Sequence, residues 1–418
     1  MSGAHQRFRA TKFFGSLDGL RGVSILGVIW FHTWFGTPQD HWLQSVPILR
    51  NGWFGVEIFF TISGFFITTL LLREREKYGE ISLKGFYIRR SLRIWPLYYA
   101  SLGLYVMLVL ILEHGTARGQ AFFHYLPAYL TYTYTWFGPR GNEPGAIFHF
   151  GWSLSVEEQF YIFWPLVIKL LRWPAAILML VGIIALRIAG GFDAFSQFMS
   201  PDSLSYRILT SISVPICLGA LLALLLHQAN AFKYLYSILG QKWSSPVALM
   251  ALLVCLVPTS QTWMALTWII LPLFIGACVI REDHGIAEIL KFRPLAFIGM
   301  VSYGMYLFNT LVVKAVRPGV GHLGLHNPLL VFPFTVGVTI FLAWFSYRYF
   351  ESAFLALKVR FSASPTAAAE IAVLPSLAVT PQNAKDSENA WPEVDSEETD
   401  AKVFPSLLSV HGSFVSTA

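Results

Sequence analysis

Charge is scarce in this chain. Asp, Glu, Lys and Arg make up 13% of its 418 residues, where a soluble domain carries about a quarter. That is too little to solvate a globule of this size, and it also excludes intrinsic disorder for most of the chain. Cysteine is scarcer still. Cys217, Cys255 and Cys278 all lie within apolar stretches, and an odd number without paired spacing argues against a disulfide framework. No internal repeat of about 20–50 residues is visible. A cleavable signal is not expected either. The basic head (Arg7, Arg9, Lys12) leads into an apolar run that is too long for a signal h-region and has no small-residue cleavage site, so that run is read as a retained helix.

Hydrophobic residues are abundant at 55%, with 16% aromatic and 14 Trp. Apolar runs of about 18 residues or more, enough to cross a hydrocarbon core of about 30 Å, recur from Leu20 to Phe350. Many Trp residues sit near the run ends, as an interfacial belt requires. The net charge of +6 is carried between the runs, which speaks for membrane topology rather than nucleic-acid binding.

The expected fold is an all-α integral membrane protein of about ten transmembrane helices, at 19–37, 53–73, 93–113, 151–171, 174–190, 207–227, 244–258, 262–280, 294–315 and 328–350. Lys and Arg concentrate in the head, in the 73–93 loop and in four further loops or flanks. All fall on one side of a ten-span arrangement, so both termini are expected in the cytoplasm. The segment 122–138, rich in Tyr and Thr and containing Pro127, reads as a re-entrant or interfacial piece on the outer side. The domains follow: a cytoplasmic head 1–18, a transmembrane domain 19–350 and a cytoplasmic tail 351–418. From about Ser362 the tail turns to Ala, Ser, Pro and acid and is expected to be disordered.

The stretch RGVSILGVIWFHTWFG holds Arg21 and His32 in an otherwise lipid-compatible run. Eleven residues of α-helix turn only about 20° past three full turns, so the two share a face roughly 16 Å apart along the axis. Asp18 lies one turn before Arg21 on nearly the same face. Ionisable groups at membrane depth usually face a bundle interior or a wet cavity. The plainer readings are a snorkelling arginine at the cytoplasmic end and an interfacial histidine at the outer end.

In FYIRRSLRIWPLYY, Arg90 and Arg93 stand three apart and can converge on one anion if helical, with Arg89 beside them. Pro96 suggests a helix starting near Ile94 with the arginines at its mouth, where guanidinium forks and a helix N-terminus both suit phosphate. The plainer reading is a positive-inside flank touching anionic lipids. In GWSLSVEEQFYIFWP, Ser155 and Glu158 match a capping box. Glu157 is then free to orient the His32 imidazole for general-base work, and their proximity is an expectation.

At this point the chain resembles the membrane acyltransferase-3 family of integral membrane O-acyltransferases. The segments SLDGLRGVSILGVIWFHTW, GWFGVEIFFTISGFFI, FYIRRSLRIWPLYY, HFGWSLSVEEQFYIFWP and SYGMYLFNTLVV occur in family order over roughly residues 16–350. The resemblance implies a ten-helix core in the bacterial cytoplasmic membrane. It would move an acyl group, often acetyl, from cytoplasmic acyl-CoA to a hydroxyl of an extracytoplasmic sugar, polysaccharide or lipid-linked acceptor. The family's functional histidine falls on His32, its first-helix arginine on Arg21, its R-x-x-R motif on Arg90 and Arg93, and its glutamate on Glu157. Three positions depart from the family pattern. Glu57 stands where an Asp is usual, Asn309 where His is frequent, and His149 lies one residue further from Trp152 than in the family. No hydrolase-like domain is expected after the membrane core.

The expected scheme therefore has His32 and Glu157 as the catalytic pair, Arg21, Arg90, Arg93 and Arg89 as the donor seat, and Asp18, Glu57, Glu158, Ser155 and Asn309 in support. Acyl-CoA is the expected co-substrate, with no permanently bound cofactor and no metal site. An acyl-His32 intermediate would use the same residues. The rival class is a secondary transporter exporting a polar metabolite or glycan precursor, which buried Arg and His would also suit.

Overall fold

The computed structural model describes residues 2–34, 46–139, 147–191, 199–200, 202–258, 261–322 and 327–360. The expected disordered stretch beyond 362 lies outside these residues. Everything described is helix and connecting turn. α1 is Ser2–Ala10, α2 Gly15–Trp34, α3 Gly55–Tyr78, α4 Leu83–Leu112, α5 Ala117–Leu130, α6 Gly151–Leu170 and α7 Trp173–Gly191. The order continues with α8 Leu204–Ser211, α9 Val214–His227, α10 Ala229–Leu239, α11 Ser244–Cys255, α12 Gln261–Ile280, α13 Arg293–Gly321, α14 Pro328–Ser346 and α15 Ser352–Arg360.

Among the described residues, 5 helices are long and apolar enough to cross a membrane, or up to 8 if each bent pair counts as one span. The bends lie between α1 and α2 (58°), α8 and α9 (51°), and α10 and α11 (76°). The second of these breaks the run expected at 207–227, because Ser213 caps a new helix and accepts from the Ile216 N–H. The surface is apolar where lipid would lie, with Leu178 74% and Leu112 71% exposed. All three cysteines are buried and free.

Two helix pairs approach through glycine. A Cβ on Gly64 of α3 would lie 1.9 Å from the Ile216 carbonyl oxygen of α9, and one on Gly299 of α13 would lie 1.9 Å from that of Asp18. Only glycine allows such backbone contact, the usual device for packing helices in lipid. Gly299 meets Asp18, and further along Asn309 meets His32. α2 and α13 therefore run side by side in the same direction, and the polar stripe of α2 faces protein rather than lipid.

Three local expectations are corrected. α4 begins at Leu83, where Ser82 accepts from the Gly85 N–H at 3.2 Å. Arg89, Arg90 and Arg93 are therefore inside the helix rather than at its mouth, and Pro96 is internal. Near this proline the Tyr303 hydroxyl donates to the Ile94 carbonyl at 2.8 Å, tying α4 to α13. α6 begins at Gly151, so Ser155 is no N-cap. Its hydroxyl donates back to the Gly151 carbonyl at 2.9 Å, and no capping box forms. Finally, α14 passes through a π-helical turn, Tyr347–Glu351, into α15, so helix continues past the expected limit at 350.

The segment expected to be re-entrant or interfacial is α5 followed by a short helix Tyr134–Phe137. At about 1.5 Å per residue, α5 is too short to cross a hydrocarbon core of about 30 Å. Aromatic packing holds it. Tyr98 stacks on Tyr132 with centroids 4.4 Å apart, and its hydroxyl donates to the Tyr129 carbonyl at 2.8 Å.

Candidate functional site

α2 carries one end of the site at each of its own ends. At its C-terminal end, His32 Nδ1 lies 2.6 Å from Asn309 Oδ1. Asn309 is fully buried, and its Nδ2 donates to the Tyr306 carbonyl at 2.5 Å. A backbone carbonyl only accepts, so the amide orientation is fixed and Oδ1 is the atom facing the imidazole. Nδ1 must then be the protonated nitrogen of neutral His32, and Nε2 keeps its lone pair. The imidazole is thus held in the tautomer a general base needs. The Arg317 guanidinium donates to the His32 carbonyl at 3.4 Å and also to that of Thr33, closing the end of α2 against α13. His149 stands within electrostatic range of His32, in the turn before α6. Burial holds the His149 imidazole below its ordinary basicity.

The expected carboxylate partner is elsewhere. Glu157 Oε1 accepts from the Ser63 hydroxyl and, at 2.5 Å, from Tyr161. His32 and Glu157 form no hydrogen bond, because Glu157 is the seventh residue of α6 and points to α3 rather than to the end of α2. Instead it belongs to a chain of contacts reaching the arginines, since the Arg90 guanidinium lies 3.8 Å above the Tyr161 ring. A cation on an aromatic face at that distance is held firmly.

At the N-terminal end of α2, Arg21 Nη1 lies 3.7 Å from Asp18 Oδ1. Arg93 is within electrostatic range of Arg21, Arg90, Asp18 and Tyr347. Three guanidinium groups from two helices thus gather near Asp18, with Glu351 in range of Arg93 and Glu158 in range of Arg90, and the Nε of Arg90 is buried with no hydrogen-bond partner. Clustered guanidinium groups with an open donor on Arg90 suit a multiply charged anion such as a phosphate ester. Arg89 does not join it. Its guanidinium pairs with Glu74 at 2.9 Å, and Glu74 also accepts from the Ser82 N–H at 3.0 Å, so Arg89 ties α4 to α3.

Of the remaining expected residues, Glu158 lies in electrostatic range of Arg90. Glu158 is buried and accepts from Trp95 Nε1 at 3.3 Å, while its other oxygen has no partner. Glu57 faces Arg187 of α7 electrostatically, away from the arginine cluster. Sequence reasoning missed Glu351 and Tyr347, both on the π-helical turn and both in electrostatic range of Arg93. π-turns recur at functional sites, but nothing in the residue pattern announces one. Among the described residues, no group of His, Cys, Asp and Glu could hold a metal ion.

Comparison with known proteins adds three findings. The family model described as an acyltransferase domain, that of the acyltransferase-3 family, matches residues 14–348. The chain is 28% identical to a Staphylococcus aureus (strain COL) protein named "Putative O-acetyltransferase SACOL0978", over 83% of this chain and 58% of that protein. It is 25% identical to the peptidoglycan O-acetyltransferase OatA of Listeria monocytogenes, over 73% of this chain and 50% of that one. The chain thus spans little more than half the length of these relatives. No solved structure matches it.

Proposed function

The chain belongs to the acyltransferase-3 family, and on that premise we propose that it is a membrane O-acyltransferase. It moves an acyl group, acetyl being the expected one, from acyl-CoA to a hydroxyl of an extracytoplasmic glycan or glycolipid, in the bacterial cytoplasmic membrane. Arg21, Arg90 and Arg93 hold the donor's phosphates, and the thioester arm lies along the polar face of α2. His32 Nε2 takes the proton of the acceptor hydroxyl as its oxygen attacks the thioester carbonyl. The C–O ester bond forms, the C–S bond breaks, and the proton passes from the imidazole to the departing CoA thiolate.

The observation that carries this reading is the fixed tautomer of His32. Asn309 accepts from Nδ1 and is itself locked by the Tyr306 carbonyl, leaving a basic nitrogen at the opposite end of α2 from the cationic cluster. A glycan acceptor is in keeping with the peptidoglycan O-acetyltransferase named among the relatives. The test is incubation of the purified full chain, in detergent or liposomes, with radiolabelled acetyl-CoA and a soluble peptidoglycan fragment. Ester-linked label on the sugar, released by mild base, supports the proposal. Label that stays on CoA while the protein demonstrably binds both compounds refutes it.

A further inference from the structure

Apart from the two ends of α2, one cavity of about 280 Å³ opens between α6, α8 and the short helix Tyr134–Phe137. Its wall includes Trp152 and Val156 of α6, Thr135, and Arg207, Thr210 and Ser211 of α8. Among the described residues, the wall thus presents an indole, three hydroxyls and one guanidinium, and no carboxylate. A lipid tail would call for an apolar lining, and a pyrophosphate for several cations. This mixture suits a ring with an apolar face and polar edges. The volume lies just below the usual range of about 300–1,000 Å³ for small-molecule sites, which fits a single sugar ring.

The wall is also fixed in place. Arg207 Nη1 donates to the Trp136 carbonyl at 2.6 Å, and Trp136 Nε1 donates to Ser211 Oγ at 3.1 Å. Gln159 Nε2 donates to the Tyr132 carbonyl at 2.8 Å and to Thr135 Oγ1 at 3.1 Å. These bonds fasten the turn after α5 to both neighbouring helices, so little ordering is left for binding to cost. Trp152 links the wall to the turn that carries His149. The Trp152 N–H donates to the His149 carbonyl at 3.2 Å, and His149 is within electrostatic range of His32.

We propose that this cavity seats the acceptor. One carbohydrate ring stacks on Trp152 and offers its hydroxyls to Thr135, Thr210 and Ser211, while an anionic substituent meets Arg207. One of the five N–H donors of that guanidinium goes to the Trp136 carbonyl, and the others serve the substituent. This assignment rests on the transferase reading above, and its test is separable from that reading.

Saturation-transfer NMR on the full chain in detergent would compare two probes: neutral chitobiose, and the N-acetylglucosaminyl–N-acetylmuramic acid disaccharide, which carries a carboxylate. The wild type is expected to bind both, the anionic one more tightly. Trp152→Ala weakens both by tenfold or more, and Arg207→Gln removes the preference for the anionic probe. Val156→Phe narrows the cavity without removing any of the bonds above and is expected to abolish both signals. If the wild type binds neither sugar, or if Val156→Phe binds as the wild type does, the seat is wrong. If the sugars bind as expected but no label moves from acetyl-CoA, the transferase reading fails and the seat stands.

Discussion

Asn309 Oδ1 accepts a hydrogen bond from His32 Nδ1 at 2.6 Å, and Asn309 Nδ2 donates to the Tyr306 carbonyl at 2.5 Å. One buried amide thus sets which nitrogen of the imidazole is basic. Asn309→Leu should leave Nδ1–H unpaired and release the tautomer. A buried donor left unsatisfied costs about 1–3 kcal/mol, so kcat for acetyl transfer should fall roughly ten- to hundredfold with the donor KM little changed. Steady-state kinetics on purified protein checks this.

The arginine cluster should govern donor affinity. Arg93→Ala and Arg90→Ala are each expected to raise the KM for acetyl-CoA by at least about tenfold, in keeping with about 1.5–3 kcal/mol for a hydrogen bond to a charged group. Arg90→Lys should not restore it, because an ammonium cannot reproduce a planar guanidinium resting on the Tyr161 ring. Equilibrium binding of desulfo-CoA would report the same ranking without turnover.

Arg89 should behave differently from its neighbour. It pairs with Glu74, with only 15% and 12% of the two side chains exposed. Arg89→Ala is expected to lower the melting temperature in detergent while leaving the donor KM within about twofold. Removing one partner of a largely buried pair leaves the other charge uncompensated.

His284 lies in the turn after α12, bonded through Nε2 to Ser16 and through Nδ1 to Ser245, each at 2.9 Å. Burial, reinforced by the nearby Lys291 charge, pulls its pKa down to about 4, against a small opposing effect of Asp283. Between that value and the ordinary 6.5 the unfolded chain binds more protons than the folded one. The stability owed to a neutral His284 is therefore complete above about pH 6.5 and is lost as pH falls towards 4. Melting curves over that window should show a decline that His284→Gln flattens.

Much of this was legible because it is local. The common face of Asp18, Arg21 and His32 follows from helical period alone, and the i, i+3 spacing of Arg90 and Arg93 brings them together whichever residue begins the helix. Pairing across helices was not legible. Glu157 turned to Ser63 and Tyr161 because the rotation of α6 about its axis is set by packing. The true partner of His32 could have been suspected, since Asn309 is a polar residue deep within an apolar run of α13. The start of α4 was misplaced because a single cue, Pro96, outweighed the weaker signal at Ser82, whereas α6 begins at Gly151, the expected start of its span, and only the capping box at Ser155 and Glu158 was misread. Helix α10 falls between the expected spans 207–227 and 244–258, where Lys233 and Lys242 marked a loop or flank. The π-helical turn that aims Tyr347 and Glu351 at Arg93 shifts the helical phase by a residue, which no periodicity argument anticipates.

The most direct test is the His32→Ala variant, measured in two ways on the same preparation: binding of CoA, and single-turnover transfer of labelled acetyl to a glycan acceptor. The account predicts CoA affinity within about twofold of wild type and transfer reduced by about 10²–10⁴-fold, the usual worth of a general base. Normal transfer by a folded His32→Ala protein would contradict it.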